Sequence, residues 1–167
     1  LVSVTGGPYD TLAETIGIVS NDMSLMAMGV KYRQVERKDG YMDIGAIQDV
    51  IKNNKVKMVF IGRSRGYANR PSQNIARIEE AINAIKSIDK DVIVMVDNCY
   101  GEFVETKEPT DVGADIMAGS LIKNPGGGLA LTFDNREKGV KLPHVVGTLT
   151  NLDIVEMNRS LASINSE

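Results

Sequence analysis

The chain has 167 residues, 43% of them hydrophobic and 25% charged, the make-up of one globular domain with enough apolar material for a core. A formal net charge of −3, with Lys and Arg spread along the chain, excludes the electrostatic footprint of a nucleic-acid binder and leaves a small metabolite as the expected partner. No run reads as a membrane span, no charged and apolar leader precedes the first residues, and the single cysteine, Cys99, cannot form an internal disulfide, so a cytoplasmic setting is expected.

Leu1-Val2-Ser3-Val4 reads as the end of a buried strand already under way, without an initiator Met, so further sequence is expected upstream. Strands are expected near Val30 to Val35, Val56 to Ile61, Val92 to Val96, Asp115 to Gly119 and Gly128 to Phe133. Several are continuous apolar runs, which suit strands covered on both faces. Between them, Asp43 caps a helix running to about Asn53, and Pro71-Ser72 opens another that carries Ile75, Ile78, Ile82 and Ile85 on one stripe. This alternation predicts βαβ units, hence an α/β fold with a mainly parallel sheet flanked by helices. After Phe133 the text changes: residues 134–139 read as an exposed turn, Lys141-Leu142-Pro143 follows, and a last helix is expected from about Asn151 to Ile164. The chain thus divides into a body over 1–133 and a divergent tail over 134–167.

The most informative stretch is Val92-Ile93-Val94-Met95-Val96-Asp97, an apolar strand ending in an acid. Ligands of open α/β sheets gather at the carboxyl ends of the strands, although a strand-end Asp also serves as a plain turn former. The next strand leads to Lys123, followed by Asn124-Pro125 and the three glycines Gly126, Gly127 and Gly128, which let a backbone approach a ligand or simply bend. The order needed for a P-loop is absent, so ATP binding by that route is not expected. Cys99 lacks a nearby base, because the only histidine is His144 in the tail, and no metal-ligand spacing surrounds that histidine. An acid at one strand end and a lysine at a later one are the two roles that pyridoxal phosphate needs. The lysine forms the internal aldimine, and the acid keeps the pyridine nitrogen protonated so that the ring accepts electrons.

The segments Val96 to Glu105, Gly113-Ala114-Asp115 and Gly119 to Gly128 together resemble the cofactor region of the methionine gamma-lyase-like proteins, often called aluminium resistance proteins. These belong to the cystathionine gamma-synthase and lyase group of fold-type I pyridoxal-phosphate enzymes. The similarity continues upstream through Ser3 to Gly6, Pro8 to Leu12, Arg63 to Tyr67 and Arg70-Pro71-Ser72, and covers roughly residues 1 to 130. The resemblance implies that residues 1–133 are part of the cofactor-binding large domain. It implies Lys123 as the Schiff-base lysine and proton carrier, Asp97 as the partner of the pyridinium nitrogen, and Ser120 as a hydroxyl donor to the cofactor phosphate.

Tyr9 is a candidate for stacking on the cofactor, with a packed tyrosine near a helix start as the alternative. Arg63, Arg65 and Arg70 match a motif whose guanidinium forks suit a substrate carboxylate or the cofactor phosphate, the alternative being arginines of a polar surface loop. The implied activity is side-chain elimination from a sulfur amino acid by a self-associating carbon–sulfur lyase. Relatives are more than twice as long, the Gly-rich phosphate segment and the small C-terminal domain have no counterpart, and the pattern changes after Ala130. A non-catalytic remnant that keeps the fold and its self-association is therefore the alternative.

Overall fold

The computed structural model of the chain describes residues 1–66, 68–120 and 123, with the strand backbones at 130–134 and 142–146. The elements run β1 (Val2–Ser3), α1 (Asp10–Ile16), β2 (Arg33–Gln34), β3 (Arg37–Lys38), β4 (Tyr41–Met42), α2 (Ile44–Asn53), β5 (Met58–Gly62), α3 (Ile75–Lys86) and β6 (Ile93–Asp97). A single 3-10 turn over Pro109–Val112, then β7 (Ile116–Ser120), β8 (Ala130–Asp134) and β9 (Leu142–Val146), complete the order.

One sheet carries the order β2-β1-β5-β6-β7-β8-β9. From β2 to β7 every pairing is parallel, with Val59 opposite Val94 and Gly62 opposite Asp97; β8 and β9 then add antiparallel. The apolar runs form strands because branched side chains fill both sides of a covered sheet, and β5 buries Val59, Phe60 and Ile61 in succession. In β6, Val94 and Val96 are buried while Ile93 and Met95 are partly exposed, so the described residues cover one face of that strand more completely than the other.

Asp43 caps α2 by accepting from the Ala46 N–H at 3.0 Å, as its sequence position predicts. The second helix starts later than Pro71-Ser72 suggests. The Gln73 N–H is still bonded to the Arg63 carbonyl at 2.8 Å, and Asn74 is the cap, accepting from Arg77 N at 2.9 Å. The expected stripe is present, with Ile75, Ile78, Ile82 and Ile85 buried in one cluster with Ile47 and Ile51 of α2 and the valines of β1, β5 and β6.

Strand β9 is not among the expected elements; it includes Pro143, but it pairs only with β8 in this sheet, and an edge strand tolerates a residue without an N–H. The candidate helix over 151–164 and residues 135–139 of the expected turn lie outside the described residues, whereas Asp134, expected to open that turn, is the last residue of β8. Among the described residues no helix is long and apolar enough to cross a membrane.

Because five neighbouring strands run parallel, the chain segments leaving β1, β5, β6 and β7 emerge along one edge. Asp97, Arg63 and Ser120 therefore all sit at that edge.

Candidate active site

Along this edge lies a cavity of about 520 Å³, lined by Thr5, Tyr9, Phe60, Arg65, Arg70 and Asp97 among others. Asp97 is the last residue of β6, and its Oδ1 accepts the Cys99 N–H at 3.1 Å, so the turn that follows the strand fixes the direction of the carboxylate. Tyr9 stands at the start of α1 with 58% of its surface exposed, so it is not packed into the interior. Its hydroxyl is pushed up to about 12 by partial burial and by the Asp97 carboxylate, which acts both as a nearby charge and as a hydrogen-bond acceptor. Burial and the same carboxylate push the Cys99 thiol up to about 12, with Lys123 pulling the other way. Cys99 is therefore a neutral thiol at ordinary pH, unsuited to nucleophilic work.

Lys123 is exposed, and its Nζ lies 4.9 Å from the centre of the Tyr100 ring, a cation–π contact. Its backbone N–H returns to the Ser120 carbonyl at 3.0 Å, closing a turn at the end of β7. Lys123 and Ser120 do not line the cavity; Tyr100, whose ring lies under the Lys123 amine, and Cys99 line a separate, smaller hollow of about 240 Å³ that has Arg63 and Ser64 in common with it. The Ser120 N–H is bonded to the buried Glu102 carboxylate, which burial pushes upward.

The three arginines singled out from the sequence occupy different environments. Arg63 is only 4% exposed: its guanidinium donates to Asn98 Oδ1 at 2.6 Å, to the Gly101 carbonyl at 2.8 Å and to Glu105 Oε1 at 2.6 Å, with Glu108 at 3.5 Å. These partners occupy the fork that a substrate would need. Arg65 is exposed at the cavity, and Arg70 is half-buried there, with Nη1 donating to the Thr5 carbonyl at 3.0 Å. Glu105 and Glu108, which organise the loop after β6, were not foreseen. Their spacing three residues apart is visible in the sequence, but their shared target, Arg63, is not.

The mainly parallel sheet flanked by helices has the fold class of the large domain of fold-type I pyridoxal-phosphate enzymes. At the level of fold alone it is similar to a NifS-like protein, with a TM-score of 0.61 at 16% identity over 91% of this chain and 38% of that one. The family model described as methionine gamma-lyase matches residues 1–134, and the chain belongs to that family. It is 54% identical over 135 residues to the uncharacterized protein YnbB of Bacillus subtilis, covering 79% of this chain and 32% of that protein. Among solved structures it is similar to a Listeria innocua protein involved in aluminum resistance, at 53% identity and TM-score 0.71, covering 77% of this chain and 32% of the other. It is also similar to a carbon-sulfur lyase involved in aluminum resistance from Clostridium novyi, at 47% identity and TM-score 0.68, covering 72% and 29%. The chain spans about a third of the length of these relatives.

Proposed function

We propose that this chain is part of the cofactor-binding domain of a pyridoxal-phosphate-dependent carbon–sulfur lyase that eliminates the side chain of a sulfur amino acid. The observation that carries this reading is the Asp97 carboxylate, oriented by the Cys99 N–H at the end of β6 and opening on a cavity that it shares with the exposed Tyr9 ring. That donor set fits the cofactor. Lys123 would hold it covalently through its amine, Asp97 would face its ring nitrogen, Tyr9 would lie against the ring, and the Ser120 hydroxyl would serve its phosphate. The bound cofactor supplies an electron sink that acidifies the substrate α-carbon and allows a thiol to leave.

The remaining work falls to the side chains. A free Lys123 amine has the chemistry to take a proton from carbon and return it, and its neighbour Cys99 stays protonated and does not compete. Arg65 and Arg70 supply cations for a substrate carboxylate. Arg63 is better suited to a positioning role, holding the loop after Asp97 through Glu105 and Asn98. The amino-acid substrate and self-association into a homo-oligomer, with no nucleic-acid partner, belong to the same proposal.

Adding pyridoxal phosphate to the purified chain and recording visible absorption after removal of free cofactor tests it. A band present in wild type and lost in Lys123→Ala is expected; a band unchanged by the substitution overturns the assignment. A second reading, a non-catalytic portion that keeps the fold, is favoured by the place of Lys123 outside the cavity lining. It predicts no band in either protein.

A further inference from the structure

The carbonyl of Thr5, just beyond β1, accepts two guanidiniums: Arg37 Nε at 2.7 Å and Arg70 Nη1 at 3.0 Å. A neutral oxygen is a poor reason to bring two cations together. Arg63, a short way along the same edge, is neutralised by Glu105 and Glu108, whereas neither Arg37 nor Arg70 has an ion-pair partner among the described residues. The nearby Glu36 is exposed and bonded to the Gln34 amide, outside ion-pair distance of both. Two buried donors, Arg37 Nη2 and Arg70 Nε, are without a partner among the described residues. The Arg37 guanidinium is lowered to about 10, first by burial and then by the charge of Arg70, so the pair repel each other in the protein as it stands.

The two arginines are held differently. Arg37 is pinned, with Nη1 donating to the Pro71 carbonyl at 3.1 Å and to the Gly40 carbonyl at 3.3 Å, and it does not line the cavity. Arg70 precedes Pro71 and does line it. Arg37 thus fixes the backbone next to Arg70 and adds a second positive charge behind it. Gly6 passes beside Arg70 at φ +78, a left-handed backbone that favours glycine, and a Cβ there would lie in ordinary contact with Arg70 Nη1 at 3.5 Å and Glu36 Oε2 at 3.8 Å. Two strand spacings, roughly 10 Å, separate this corner from the Asp97 strand, within reach of one small ligand.

We propose that Arg70, with Arg37 positioned behind it, forms an oxyanion subsite at the β1 end of the cavity, taking a carboxylate or phosphate group. The oxyanion preference stands on the two guanidiniums alone, while its assignment to substrate or cofactor rests on the lyase reading. An anion there would satisfy the excess charge through short charge-assisted hydrogen bonds and relieve the repulsion between the arginines.

The test titrates the whole chain, free of cofactor and at constant ionic strength, with inorganic phosphate and separately with acetate, following the Gly6 and Thr5 amide resonances. Saturable single-site shifts are expected, with affinity about tenfold weaker in Arg70→Gln and about threefold weaker in Arg37→Gln. Arg37→Lys keeps the charge and is expected to bind within about twofold of wild type, which a purely structural staple would not explain. Arg33→Gln, an exposed arginine on β2, is expected to bind as wild type. If Arg70→Gln does not fold, Arg70→Lys replaces it, and the loss of the fork is expected to weaken binding about threefold. No saturable binding, or equal affinity in wild type and the Arg37 and Arg70 variants, overturns the subsite.

The source of the anion is read by repeating the titration with pyridoxal phosphate present. Displacement of phosphate by the cofactor assigns the subsite to the cofactor phosphate, and undiminished acetate binding beside bound cofactor assigns it to a substrate carboxylate. A chain that binds phosphate and acetate as expected but never binds pyridoxal phosphate keeps the subsite and removes the lyase reading.

Discussion

Arg63 and Glu105 meet at 2.6 Å, and the same Glu105 oxygen accepts the backbone N–H of Ile75, the first residue of α3, at 3.0 Å. One carboxylate therefore joins the end of β5, the loop after β6 and a helix N-terminus, where a negative charge is favoured. The loop that begins at Asp97 is fastened from both sides.

Removing Arg63 leaves the buried Asn98 and the Gly101 carbonyl without their donor, and frees two partly exposed carboxylates. Arg63→Met is expected to cost about 3 kcal/mol or more in chemical denaturation, because Asn98, the Gly101 carbonyl and two carboxylates lose their donor together. Glu105→Gln, which still accepts a hydrogen bond, is expected to cost less, about 1–2 kcal/mol. Equal losses in the two variants would show that Glu105 is the main anchor of Arg63.

Gly101 lies against the same guanidinium: a Cβ added there would stand 2.5 Å from Arg63 Cδ and 2.6 Å from Nη1. Gly101→Ala is expected to lower the unfolding midpoint by an amount equivalent to about 1–3 kcal/mol, since Arg63 has no room to retreat. Thermal melts of the single variant and of Gly101→Ala combined with Arg63→Met would show the two effects to be less than additive.

The chain is expected to lose stability across alkaline pH. The Cys99 thiol and Tyr9 hydroxyl are both raised to about 12 in the fold, from ordinary values of 9.0 and 10.0. The unfolded chain releases these protons first as pH rises, so the unfolded state binds fewer protons than the native state between about pH 9 and 12 and native stability falls there; below that window both states are protonated and nothing is lost. Denaturation midpoints measured at pH 8 and pH 10.5 check the sign.

Asp97 is a shared cause of both shifts, which links the acid of the site to the reactivity of its neighbour. In cofactor-free protein at pH 8, Cys99 is expected to react with a disulfide reagent about tenfold or more slowly than a thiol in the unfolded chain. Asp97→Asn is expected to quicken that reaction. An unchanged rate would show burial alone to be responsible.

On the opposite edge of the sheet, Lys86 Nζ donates to Asp115 Oδ2 and to the Val92 carbonyl, each at 2.7 Å, and the same Asp115 oxygen accepts the Val94 N–H. Lys86→Met is expected to cost about 1–3 kcal/mol by leaving that carboxylate without its cation, with no effect on cofactor absorbance.

Much of this architecture is local and therefore legible. Asp43 caps its helix within three residues, the Ile stripe of α3 follows the helical period, and Asp97 is marked by an apolar strand stopping on an acid. What escaped depends on distant partners. The start of α3 is delayed because Gln73 is tied to Arg63, and Arg63 looks like a surface fork until residues 98–108 fold over it. Arg37 carries no motif, and its link to Thr5 and Pro71 arises only when β1 and the loop after β5 lie side by side.

Tyr100 and Phe103, both exposed, hold left-handed backbone at φ +69 and +59, a region that side-chain-bearing residues enter at a cost of about 1–2 kcal/mol each. A laboratory selection for heat resistance alone would therefore favour glycine or asparagine at these two positions. The survivors would gain melting temperature while shedding the aromatic ring that now lies beneath the Lys123 amine. Position 100 is thus where selection for durability and the ring contact with Lys123 pull this sequence in opposite directions.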